Sequence, residues 1–179
     1  MAHPVAGCAV YPLQHHGRHI CIGTRTIDNT RIAGALRGCH RAVAFCVTLG
    51  PAIDALIAQY QKNALHEAVV VDHVASITAD VAADNVRAAL QDRLPSGRAL
   101  TKRYSPGHCD WPLHDQAVLF SLLGNAAAHV DLSDRFIMTP RKSITAVAGI
   151  GPEETVGRYG NACDRCAHRG CAFRTANRT

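Results

Sequence analysis

From Ala64 to Leu94 the chain runs without a glycine or a proline. Alanine recurs throughout this stretch, and its helix preference offsets the weaker preference of the interspersed valines and isoleucines. The segment predicts a long, largely buried helix that Pro95-Ser96-Gly97 brings to an end. Such a helix needs an extended apolar surface to lie on. The chain has 179 residues, enough for one domain with a tail, and a domain of this size hides about 70% of its unfolded surface. With 47% hydrophobic and 18% charged residues, disorder along the whole chain is excluded. No apolar run approaches the ~20 residues of a membrane span. The start, MAHPVAGCAVYPLQHHG, lacks a basic region and does not read as a signal peptide. The expectation is a soluble cytoplasmic protein with no membrane partner.

The surface for the helix comes from elsewhere in the chain. Ala42–Leu49 is a continuous apolar run stopped by Gly50-Pro51, and it predicts a buried strand. Pro51 suits the first turn of a helix, and Ile53, Leu56, Ile57 and Tyr60 keep the helical period. Residues 20–27 alternate as a strand does. Residues 1–19, with Pro4, Pro12 and the cluster His15, His16 and His19, read as irregular. Leu113 to Leu123 predicts a shorter helix, with Asp110 as its cap and Gly124 as its stop. DRFIMTP (134–140) and SITAVAGIG (143–151) predict two strands joined through Pro140-Arg141-Lys142. The fold class is therefore α+β: a mixed or antiparallel sheet packed against one long and one shorter helix. An irregular N-terminus and a Cys-rich C-terminal tail flank it. The expected division is a domain at 1–155 and a Cys/Arg-rich tail at 156–179.

Two polar features stand out. His73, Asp80 and Asp84 share one face of the long helix. Polar groups on such a stripe either face solvent or line a site for a polar ligand. Downstream, Arg103-Tyr-Ser-Pro106-Gly107-His108-Cys109-Asp-Trp111-Pro112 is a loop stiffened by two prolines. Its backbone N–H and C=O groups suit a zwitterionic ligand, and the Arg103 guanidinium suits a carboxylate.

These residues sit in a longer pattern. RYSPGHCDWPLHDQAVLFSLLG, followed by VDLSDRFIMTPRKSITAVAGIG, resembles the activation domain of cobalamin-dependent methionine synthase over roughly residues 38–151. Arg103, Pro106 and Gly107 match that family's Arg-x-x-Pro-Gly-Tyr motif, with His108 in place of the tyrosine. Leu132-Ser133-Asp134, Met138, Pro140 and Ser143 track its second motif. Asp80 and Asp84 fall at acidic positions of its long helix. The resemblance implies S-adenosylmethionine binding by Arg103, Pro106, Gly107, His108, Asp80 and Asp84. It also implies reductive methylation of cobalamin held by a partner methyltransferase or corrinoid protein, with flavodoxin or ferredoxin as electron donor. The chain carries no Asp-x-His-x-x-Gly cobalamin motif, so the cobalamin would come from that partner.

The eight cysteines include the run Cys163-x2-Cys166-x4-Cys171. In a chain read as cytoplasmic, this is metal-ligand spacing. Cys109 or His168 would complete the site, and the metal would be zinc or a four-iron iron–sulfur cluster. Cys46 reads as a small core residue. Of the 19 basic residues only Lys62, Lys102 and Lys142 are lysines. The tail arginines, Arg158, Arg165, Arg169, Arg174 and Arg178, keep a second function class open. In that reading the chain is a small zinc or iron–sulfur module that binds a protein or nucleic acid through its basic tail.

Overall fold

The structure is a computed structural model that describes residues 4–108 and 110–156. Six antiparallel strands form the main sheet, in the order β3-β2-β1-β4-β8-β5. They are β1 (Val5–His16), β2 (His19–Ile22), β3 (Arg25–Ile27), β4 (Arg41–Thr48), β5 (Arg98–Leu100) and β8 (Ser143–Pro152). A separate two-residue ribbon pairs β6 (Asp131–Leu132) with β7 (Met138–Thr139). The helices are α1 (Thr30–Ala35), α2 (Pro51–Asn63), α3 (Leu65–Gln91), α4 (Gln116–Leu123) and the short α5 (Glu153–Val156). The predicted α+β class holds, with an entirely antiparallel sheet.

β4 explains the architecture. Every residue from Ala42 to Thr48 is buried, because helices cover both faces of the strand. Val43, Phe45 and Val47 turn towards α3, with Ala146 and Ala148 of β8 beside them. Ala42, Ala44 and Cys46 turn the other way, into a cluster with Trp111, Leu119, Leu122 and Leu123. Each larger side chain buried in this way stabilises the fold by about 1.5–3 kcal/mol.

Three expectations need correction. The N-terminal segment is not irregular: Val5–His16 is a 12-residue strand. Its inward positions include Gly7 and Ala9, which carry little hydrophobic signal, and its prolines read as breakers. Pro12 is tolerated because it lies where β1 changes partners, from β4 (Val5 to Pro12) to β2 (Leu13 to His16). Gly7 is small for a reason: a Cβ there would overlap the carbonyl of Ala126. Second, α3 is not largely buried. Only Ala68, Ala75, Ala79 and Ala83 are, while Val69, Val70, Val74, Ile77 and Val81 are exposed. The sheet packs against one side of α3, so it covers only that face of the helix. Third, the predicted strand at 134–140 shrinks to Met138–Thr139. A turn at Ser133–Phe136, with Phe136 at φ 60°, takes up the rest.

Candidate functional site

The extended backbone after β5 sets the site. Tyr104 exchanges both backbone hydrogen bonds with Val147 of β8, at 2.9 and 2.8 Å, and its side chain is buried. Successive side chains on extended backbone point to opposite sides. With Tyr104 inward, Arg103 reaches out to α3. Its Nε donates to Asp84 Oδ1 and its Nη2 to Asp80 Oδ1, both at 2.8 Å. Asp80 and Asp84 stand one helical turn apart, so one guanidinium spans both. Burial pushes the Arg103 pKa down, but the hydrogen bonds and charges of Asp84 and Asp80 outweigh that effect and hold it above its ordinary value. The arginine side chain is 21% exposed and the two carboxylates 63% and 66%. Exposed ion pairs of this kind contribute about 0.2–1 kcal/mol each.

The structure thus brings together three residues that the sequence singled out, and joins them to one another. Among the described residues, Arg103 Nη1 has no hydrogen-bond partner. His73, on the same helix face, is exposed.

The loop that follows is tightly folded. Pro106 is buried, while Gly107 and His108 are exposed at its tip. Gly107 has φ 87°, in the left-handed region that favours glycine. Its N–H donates to the Trp111 carbonyl at 2.8 Å, and the Trp111 N–H to the His108 carbonyl at 3.0 Å. Trp111 anchors the end of the loop: it is 1% exposed and donates from Nε1 to Asp115 Oδ2 at 2.7 Å. Asp110 does not cap the following helix as expected. It has φ 62° and pairs with Arg31 Nη2 at 3.0 Å, while its carbonyl accepts from Asn29 Nδ2 at 3.0 Å. Asn29 and Arg31 were not singled out from the sequence. Asn29 also caps α1, accepting from the N–H groups of Arg31 and Ile32. An Asn ahead of a short apolar run was the signal available.

Away from these residues, a concavity opens where β4 ends at Thr48. This cleft of about 540 Å³ is lined by Val5, Thr48, Leu49, Gly50, Pro51, Ala52, His129, Asp131, Thr139 and Pro140. Beneath the sheet, burial pushes the thiols of Cys39 and Cys46 up to about 11. Both are inert core residues at neutral pH. The proposed metal ligands Cys109, Cys163, Cys166 and Cys171 lie outside the described residues, as does His168. Among the described residues, no helix is long and apolar enough to cross a membrane.

No family model and no curated protein matches the sequence. Among solved structures, the fold is similar to the MetH reactivation domain bound to AdoHcy, with a TM-score of 0.65 and 17% identity over 84% of this chain. The chain spans 59% of the length of that structure. The likeness establishes the fold: an antiparallel sheet with its helices arranged as in the MetH reactivation domain.

Proposed function

We propose that the chain binds S-adenosylmethionine at the Arg103 loop and assists the reductive methylation of cobalamin held by a partner methyltransferase or corrinoid protein. The observation that carries this reading is the joining of Arg103, Asp80 and Asp84 at the base of a braced Pro106-Gly107 loop, on a fold similar to that of an AdoHcy-bound domain. Fold alone does not give function, so the chemistry of these residues must suit the ligand. It does. The ligand carries a carboxylate, an ammonium and a sulfonium. Arg103 Nη1 keeps its N–H groups for the carboxylate while Nε and Nη2 stay on α3. The exposed oxygens of Asp80 and Asp84 supply negative charge for the cationic groups. The exposed backbone of Gly107 and His108 supplies further donors and acceptors.

The bound ligand would supply a transferable methyl group. That methyl, with one electron from a flavodoxin- or ferredoxin-like donor, would convert the partner's Co(II) form to methylcobalamin and leave AdoHcy. The chain's own residues bind and orient: Arg103 fixes the amino-acid end, and Asn29 and Arg31 keep the loop in place through Asp110.

Calorimetry with AdoHcy on wild type, Arg103→Lys and Arg103→Ala tests the reading. Losing a charge-assisted pair costs ~1.5–3 kcal/mol, roughly ten- to hundred-fold in affinity. Arg103→Lys keeps the charge without the fork and should fall in between. Asp80→Asn/Asp84→Asn should weaken binding of the cationic sulfonium ligand S-adenosylmethionine with the fold intact. Equal affinities across the series would remove the ligand from this site.

A further inference from the structure

The outward face of α3 carries Val70, Val74, Ile77 and Val81, which are 61, 55, 51 and 52% exposed. Their 4-3-4 spacing is that of a coiled-coil seam. At about 100° per residue, the row lies roughly half a turn from the buried Ala75, Ala79 and Ala83. A row of large apolar side chains on the back of a helix is the kind of surface that marks an interface.

We propose that this face is the contact surface of a homodimer, in which α3 packs antiparallel against α3 of a second copy. The occupant follows from self-complementarity. A two-fold axis between Ala75 and Ser76 sets Val70 opposite the second copy's Val81, and Val74 opposite its Ile77, so the four apolar positions close on each other. One flank of the row carries His73 and Asp80, both exposed. The same axis brings His73 of each copy beside Asp80 of the other, an imidazole N–H against a carboxylate. Arg103 holds Asp80 by Oδ1 alone, and Oδ2 has no hydrogen-bond partner among the described residues. A parallel pair would instead place His73 beside Thr78 and Asp80 beside Asn85, with no complementary charge. Glu67 and Asp84 face each other at the two ends and limit the seam to its four central positions, the Asp84 charge being balanced by Arg103. This inference does not rest on the ligand proposed above, but it shares the Asp80 carboxylate with that site, so the two-fold contact and the ligand's cationic groups compete for Asp80 Oδ2.

Sedimentation equilibrium of the full chain, up to roughly 100 µM, tests it. The wild type is expected to be a dimer. Val74→Asp and Ile77→Lys, each at an exposed position, should each weaken the dimer at least ten-fold with unchanged circular dichroism. Because Val74 faces Ile77 across the axis, mixing the two variants should restore a dimer containing one of each. A monomeric wild type would overturn the proposal and leave the face to a different protein. A dimer indifferent to both substitutions would place the contact elsewhere. Two dissociated variants that fail to recombine would overturn the antiparallel register.

Discussion

The two faces of α3 invert the usual distribution of side chains. Alanines lie against the sheet, while valines and isoleucine face outward. On the inner side the sheet supplies the bulk, with Phe45, Val47 and Ile144 filling the space above the alanines. Small residues there let the helix axis come close to the strands. The outer face has larger side chains, and among the described residues they stay exposed. Hydrophobicity summed along a helix therefore says little about which face is buried; residue size against the opposing surface decides it.

The largest effect should come from enlarging the inner face. Ala83 is fully buried against Phe45, Val47 and Ala146, and Ala79 packs near Leu49. Ala79→Leu and Ala83→Leu should each cost about 1–3 kcal/mol through overpacking. Together they would consume much of the 5–15 kcal/mol typical of a domain. Urea midpoints measure this. A neutral double variant would mean that α3 can slide on the sheet, and the contrast between its faces would lose its basis.

The far side of the sheet is just as dry, and pH exposes it. Burial raises Cys39 and Cys46 from 9.0 to about 11. Between those values the unfolded chain has lost protons that the folded chain keeps, so stability falls as pH rises. Below pH 9.0 their contribution is fully present. By pH 11 the loss should be about 2 kcal/mol per thiol. Cys46→Ala should flatten the alkaline limb of the stability profile by about half. An unchanged alkaline limb would show water reaching the thiol.

What could be read from the sequence follows the same physics. β4 was legible because both of its faces are buried, which leaves an uninterrupted apolar run. α3 was legible as a helix because alanine recurs and nothing breaks it; its burial was misjudged because Val70, Val74, Ile77 and Val81 look like core. β1 was illegible because Gly7 and Ala9 hold inward positions and Pro12 sits where the strand changes partners. At the site, Arg103, Asp80 and Asp84 stood out by residue type and spacing. Their direct contact did not, since it depends on Tyr104 pairing with Val147 far along the chain. Asn29 and Arg31 were missed for the same reason: nothing local ties them to Asp110.

Between the two faces lies the Arg103 bridge. Asp80→Asn or Asp84→Asn should cost at most about 1 kcal/mol of stability, because both carboxylates are largely exposed. Each should lower S-adenosylmethionine affinity by more than its loss of stability in urea accounts for. A variant that loses stability and affinity in proportion would make the bridge a structural brace.

The smallest intrinsic effect belongs to the outer face. Val74 is 55% exposed, and surface substitutions of this kind shift monomer stability by within about 0.5 kcal/mol. Val74→Asp should therefore leave the urea midpoint unchanged in dilute solution, where any dimer has dissociated. At higher concentration the chains part company: association stabilises the folded wild type by mass action, so its midpoint should rise with concentration. The Val74→Asp midpoint should stay flat. The gap between the two curves isolates what the uncovered face contributes, separately from the fold of the chain that carries it. If both curves are flat, the apolar row is not a self-association surface, and α3's outer face awaits a partner of another kind.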